Sequence, residues 1–332
     1  SPTGDEVLFS AGMAYNNFKV YAVDLSGKRR EALGSAGGLT IHDTTQDGRW
    51  LVTRDDHTFE MPVLAPGQQE ERDLSWLDFS QPFAFSSDGR TLLFSEEGGI
   101  LGINYAACLR RTDGSPVVRL GEGDAADLSP DGKWALAVIP TSPQQLMLYP
   151  TGAGELRKLD RGPLVTYDSA EFFPDGQRVL ICGHEDGQPD RCYVQDLAGG
   201  APRAVTPPGT RQALLSPDAQ TILARQNEGA LQLYSMDGRP PRTVPGAKPD
   251  DTVIRWRADG RSLLTYPRLV VPARIERLDL QTGTRTPVQT LGPQKLAGVL
   301  AIGRIIMTED EKSYAYYTST MISHLFLVEG AR

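Results

Sequence analysis

The sequence predicts an all-β chain, folded as a propeller of four-stranded antiparallel blades. Three observations carry this. A turn of the Ser-Pro-Asp-Gly type recurs at nearly even spacing, and each copy runs straight into a short β-prone segment. A second, Gly-containing turn then closes each unit before the next begins.

The recurring turns are SPTG (1–4), TQDG (45–48), SSDG (86–89), SPDG (129–132), FPDG (173–176), SPDA (216–219), RADG (257–260) and TEDE (308–311). Counted from third position to third position, the steps are 44, 41, 43, 44, 43, 41 and 51. Self-similarity at this period marks propellers and solenoids. Within the turn, proline presets φ, aspartate hydrogen-bonds nearby backbone amides, and glycine accepts positive φ. Such a turn joins two antiparallel strands, with a bulge at the glycine. Ala219 departs from the pattern: either it bears a positive-φ strain of about 1 kcal/mol, or its turn has another geometry.

The segments after the turns are VLFSA, WLVTR, TLLFS, WALAV, VLICG, TILAR, SLLTY and SYAYY. They are too short for helices and fit strands, and several lack polar alternation, as strands covered on both faces do. The second landmark reads VYAVDLSGK (20–28), CYVQDLAGGAP (192–202), LQLYSMDGRP (231–240), IERLDLQTGT (275–284) and HLFLVEG (324–330). Each unit therefore reads strand a, turn, strand b, loop, strand c, Gly turn, strand d. The first unit lacks strand a and the last lacks strand d. Eight blades with three-stranded ends are favoured over seven blades closed by a d strand near Arg30–Leu33. The seven-blade closure leaves apolar strands around Val7–Phe9 and Val20–Leu25 without a home. The chain is expected to be one propeller domain, 1–332, belonging to a longer protein.

Composition excludes several classes. The 332 residues are 39% hydrophobic and 23% charged, with net charge −8 and a pI near 5.2. The densest basic cluster, Lys28-Arg29-Arg30, is followed at once by Glu31, so nucleic acid and anionic membranes are not expected partners. No apolar run is long enough to span a bilayer, so membrane association is expected only through an anchor outside these residues. The sequence holds no VAIK-type lysine strand, HRD loop or DFG triplet, and no G-x-S-x-G elbow of a serine peptidase.

Of three cysteines, Cys182 ends one expected strand and Cys192 begins the next, so a hairpin can place them opposite each other. A disulfide there implies an oxidising compartment, and two ordinary thiols are the equal alternative. His42 and Asp43 fall on an expected a strand and are candidates for the channel, although a hydrogen bond between blades is favoured. Asp55, Asp56 and His57 in TRDDHTFE are a candidate cation site, set against an ordinary loop between strands b and c. His184 reads as loop. Trp50, Trp76, Trp134 and Trp256, with Tyr314, Tyr316 and Tyr317, read as packing. No catalytic residue and no cofactor is assigned.

The Ser-Pro-Asp-Gly unit resembles the repeat of TolB-like, WD40-like propellers. The stretches LTIHDTTQDGRWLVTRDD (39–56), ERDLSWLDFS (71–80), LRRTDGSPVVRLGEGDAADLSPDGKWAL (109–136), YPTGAGELRKL (149–159) and SYAYYTSTMISHLFLVEGAR (313–332) are similar to the C-terminal propeller of membrane-anchored bacterial serine/threonine kinases. That resemblance implies a non-catalytic, extracytoplasmic sensor or interaction domain, tethered through an upstream membrane helix, with kinase activity outside this chain. It would bind a protein partner or small ligand at the channel mouth or through blade loops. The alternatives are a metal-dependent hydrolase or lactonase with its site in the channel, and a periplasmic TolB-like scaffold acting without a kinase.

Overall fold

The eight turns close in the same way. In each, the N–H of the fourth residue donates to the carbonyl of the first, over 2.8 to 3.0 Å from Gly4→Ser1 through Glu311→Thr308. The fourth residue has φ between 55° at Ala219 and 84° at Gly48. Ala219 and Glu311 adopt the glycine conformation, so of the two options for Ala219 the strained one is realised. Side chains complete the turn. Ser129 Oγ donates to Asp131 (2.7 Å), Asp131 accepts the Lys133 N–H (3.1 Å), and the Trp134 N–H donates back to Ser129 Oγ (2.9 Å). The same hydroxyl-to-carboxylate bond holds Asp88, Asp131, Asp218 and Asp310 below the usual carboxylate range.

A computed structural model describes residues 1–12, 18–35, 37–97, 101, 104–227 and 229–330; these contain no α-helix. The first unit is three-stranded: β1 (Glu6–Ala11), β2 (Lys19–Asp24) and β3 (Arg29–Leu33). The second contributes β4 (Gly38–Thr44), β5 (Trp50–Glu60), β6 (Pro62–Leu64) and β7 (Arg72–Asp73). Five four-stranded sheets follow, each in chain order from its inner strand outward. They are β8 to β11 (Ser80–Phe85, Thr91–Glu96, Ala106–Arg111, Val118–Glu122) and β12 to β15 (Asp124–Leu128, Trp134–Ile139, Gln145–Pro150, Arg157–Lys158). Next come β16 to β19 (Ser169–Phe172, Arg178–Gly183, Arg191–Asp196, Arg203–Ala204) and β20 to β23 (Thr210–Leu215, Thr221–Gln226, Ala230–Ser235, Arg242–Thr243). The fifth holds β24 to β27 (Asp251–Trp256, Ser262–Pro267, Ala273–Asp279, Arg285–Leu291). The last unit supplies β28 (Val299–Met307) and β29 (Tyr314–Val328).

Among the described residues the eight units form seven sheets, because the second and eighth share one. β29 pairs with β28 on one edge, and on the other with β5 and β6 in a single unbroken register, from Val328↔Trp50 through Thr318↔Glu60 to Tyr314↔Leu64. Within the ring the blade reads β28-β29-β6-β7, so Pro62–Leu64 and Arg72–Asp73 complete the last unit. Beyond Met321 the ribbon continues outward as β4-β5-β29. Tyr314 and Tyr316 hydroxyls both donate to Glu71 (2.8 and 2.9 Å), holding the β6–β7 connection against β29.

Two expectations change, and the alternative closure is not realised. The strand near Arg30–Leu33 pairs with β2 and does not close the ring. HLFLVEG is no separate strand c: Met321-Ile322-Ser323 contains no Gly, Pro, Asn or Asp to break the strand, and β29 runs on along the open edge of β5. TRDDHTFE is strand throughout, for the same pairing.

The inner strands β8, β12, β16, β20, β24 and β28 touch in a closed circle. Six apolar clusters fill the spaces between successive blades, among them Leu136, Leu148, Phe172 and Tyr193 in one and Met61, Val63, Leu92 and Phe94 at the closure. The seventh sheet, β1-β2-β3, packs outside this circle on β4 and β5 through Val20, Leu39, Trp50 and Val52. That packing gives the strands around Val7–Phe9 and Val20–Leu25 their home.

Ala219 supplies a direct test of the turn. Ala219→Gly is expected to raise stability by about 0.5–1 kcal/mol by relieving a left-handed alanine, read as a higher urea midpoint at unchanged slope. An unchanged or lower midpoint would argue against strain at this turn.

Candidate functional site

The channel is built from the inner strands, and most of these carry a bulge. Their registers shift at Pro82/Ala84, Ala125/Asp127, Arg211/Leu214, Val253/Arg255 and Ile302/Ile305. A bulge frees backbone groups from the ladder and re-aims side chains.

At one level, two residues before each turn, side chains latch one blade to the next. Asp127 accepts the Phe172 N–H of the following blade (2.8 Å) and the N–H of Leu128 (2.8 Å). Glu171 accepts the Leu215 N–H (2.5 Å), and Arg255 donates to the Met307 carbonyl (3.1 Å). Where Leu214 holds the equivalent position, Trp256 Nε1 donates to its carbonyl instead (3.3 Å). Asp127 has no cation beside it among the described residues, and burial pushes its carboxyl up to about 7. Burial and the neighbouring Asp127 raise Glu171 well above its ordinary value.

Nearer the opposite end stands a collar of charges of both signs. Arg304 leaves β28 inside the bulge, and its Cζ lies 3.9 Å from the centroid of the Phe83 ring on β8. Its charge acts on Asp124, Asp168 and Glu97, which come from three other sheets or their loops, so the guanidinium projects into the ring. Water reaches Arg304, yet its charge is partly desolvated and its pKa lowered, as suits a side chain standing in a narrow wet channel. Among the described residues no carboxylate lies within 4.0 Å of it, whereas Arg285 pairs with both Asp251 and Glu276.

The collar carboxylates are held by neutral donors. Ser95 Oγ donates to Asp124 (2.5 Å), the Gln212 N–H to Asp168 (2.9 Å), and Gln81 Nε2 to Glu97 (2.6 Å). Partial desolvation raises all three, Asp168 included although water reaches it; Glu97, also repelled by Asp124 and Glu96, is pushed up to about 7. A channel end with both signs of charge held apart can bind a polar ligand.

The residues singled out in the sequence lie elsewhere. His42 and Asp43 are exposed on β4, outside the circle of inner strands, with His42 Nε2 3.0 Å from Thr53 Oγ1 and Asp43 accepting the Thr44 N–H (2.7 Å). They do not line the channel, because the second unit gives β6 and β7, not β4, to the ring. Asp55, Asp56 and His57 do not converge either: Asp56 faces away from the other two, and Asp55 and His57 each take separate partners. Asp55 accepts from Thr40 Oγ1 (3.0 Å) and Ser323 Oγ (2.6 Å), while Asp56 pairs with Arg54 (3.1 Å). His57 is buried between the Phe59 and Phe79 rings, 2.7 Å from Ser319 Oγ, and burial lowers its pKa. No group of three His, Cys, Asp or Glu side chains among the described residues is arranged to hold a metal ion.

Cys182 and Cys192 are direct partners across β17 and β18, and form a disulfide with sulfurs 2.00 Å apart. His184 is loop, hydrogen-bonded to Thr166 Oγ1 (2.8 Å) and Asp190 (3.0 Å). Trp50 and Trp256 are buried, and Trp134 packs beneath Arg157.

No protein-family model matches the chain, and no curated protein matches it. Solved structures do. The protein assigned as TolB from Agrobacterium tumefaciens is similar over 79% of this chain and 98% of its own, at 17% identity and a TM-score of 0.57. Oligogalacturonate lyase from Vibrio parahaemolyticus is similar over 77% of each chain, at 16% identity and a TM-score of 0.50. A prolyl endopeptidase is similar over 95% of this chain but only 53% of its own, at 13% identity and a TM-score of 0.50. These likenesses show a TolB-like β-propeller fold, shared by enzymes and by TolB.

The buried latch generates a pH dependence. Asp127 keeps its proton to about pH 7 in the folded chain, while the unfolded chain releases it near the ordinary 3.8. The folded state therefore binds more protons between these values, and this residue's share of stability falls as pH rises through that window. Asp127→Asn does not titrate, so its stability relative to the parent should move in its favour by about 1–3 kcal/mol from pH 5 to pH 8 in urea melts. A difference that stays constant with pH would contradict the assignment.

Proposed function

We propose that this chain is a non-catalytic binding propeller, the extracytoplasmic sensor of a bacterial serine/threonine signalling kinase, which receives its ligand at the channel mouth. The observation that carries the binding role is the collar in which Arg304 stands among Asp124, Asp168 and Glu97, with no ion pair among the described residues. The deep carboxylates Asp127 and Glu171 are committed to backbone N–H groups, which suits a scaffold. The Cys182–Cys192 bond supports an oxidising location. No helix among the described residues is long and apolar enough to cross a membrane, so the tether is assigned to sequence outside them. The kinase association rests on the resemblance of the segments at 39–56, 71–80, 109–136, 149–159 and 313–332.

Signal transfer is assigned to dimerisation through the outer end of β29. Beyond Met321 this strand is paired on one edge only, among the described residues, and it exposes Ile322, Leu325, Phe326 and Leu327. An uncharged open edge can pair antiparallel with its own copy about a twofold axis. A second reading, a TolB-like scaffold working without a kinase, is favoured by the 98% coverage of the Agrobacterium protein.

The test is autophosphorylation by the full-length protein in lipid nanodiscs, with and without residues 1–332. The sensor reading expects removal of the propeller to change the rate severalfold. An unchanged rate, or a full-length protein without kinase activity, would leave the kinase-free scaffold.

A further inference from the structure

Several interior guanidiniums of the chain are neutralised or hydrogen-bonded. Arg285 sits between Asp251 and Glu276, Arg257 binds Glu311 through two nitrogens, and Arg255 is spent on two backbone carbonyls. Arg304 and Arg211 are exceptions: among the described residues neither has an ion pair, and both act on Asp168. Arg304 is held over the Phe83 ring at 3.9 Å, a contact that fixes a guanidinium's plane without consuming its hydrogen-bond donors.

The nearby acids are arranged in the complementary way. Asp124, Asp168 and Glu97 each take one neutral donor, from Ser95, the Gln212 backbone and Gln81. Each keeps a second carboxylate oxygen with no hydrogen bond among the described residues. None approaches Arg304 within ion-pair distance, although all feel its charge.

A ligand carrying only a carboxylate would meet Arg304 but also three acids. An alkylammonium ion would meet the acids but also Arg304. A molecule with both charges a few bonds apart satisfies both, and gains charge-assisted hydrogen bonds in a site partly shielded from water. We infer that the channel mouth binds a small zwitterion, an amino acid or short peptide with free ends, its carboxylate on Arg304 and its ammonium among Asp124, Asp168 and Glu97. This rests on the channel-mouth binding reading and supplies the ligand's chemistry; it is independent of the kinase.

The probe is unblocked dialanine, titrated into the 332-residue chain at pH 7 and low salt, and followed by saturation-transfer NMR. N-acetyl-dialanine and dialanine amide each lack one charge and serve as comparisons. Dialanine should bind in the millimolar range, with each blocked form at least about tenfold weaker. Arg304→Gln should abolish the advantage of dialanine over the amide, and Asp168→Asn, at an exposed position, should weaken the advantage over the acetylated form. Binding of the blocked forms as tightly as dialanine would overturn the inference, as would no binding of dialanine up to about 10 mM. Dialanine binding with the expected preferences, beside an autophosphorylation rate indifferent to the propeller, would sustain the zwitterion site and discard the sensor.

Discussion

Residues 50–64 and 314–328 lie more than two hundred positions apart, yet pair without a register shift. The last unit brings only β28 and β29, and on its own would present an open apolar edge to water. β6 and β7 cover that edge, and Tyr314 and Tyr316 fasten the connection through Glu71. Without this pairing the cluster of Met61, Val63, Leu92 and Phe94 loses one wall, and the inner strands no longer meet in a circle. The channel, its bulges and the placement of Arg304 all depend on that circle.

Why the ring was only partly legible in the sequence follows from the range of the interactions. The turn is local: Ser129, Asp131 and Lys133 satisfy one another within five residues, so composition and spacing reveal it. The strands directly after the turns were legible for the same reason. Closure is not local. Pro62–Leu64 and Arg72–Asp73 are short and carry no special signal, and the constant register with β29 becomes visible only when the two ends of the chain are set side by side. The assumption that every unit ends in a turn split β29 in two and sent His57 into a loop.

The site shows the same division. Asp127, Glu171 and Arg255 went unread in the sequence, although each stands two residues before its turn, and that shared offset is the signal that could have found them. Cys182 and Cys192 were readable as hairpin partners because only one tight connection separates their strands. Arg304 was hidden, since the step before the last turn is 51 residues and its bulge displaces it from the repeat. His42 and Asp43 held the right place within a unit, but that unit's inner strand stands outside the circle. A repeat specifies local geometry; which copies line the channel is decided by closure.

Hydrogen–deuterium exchange of the intact chain, resolved by peptide mass spectrometry, tests the closing ribbon most directly. Amides of Val63, Leu64 and Tyr314–Thr320 should exchange as slowly as the inner strands, and should lose protection together as urea is raised. Fast exchange at 63 and 64 while 314–320 stays protected would contradict the account, because the ring would then hold together without its N-terminal partner.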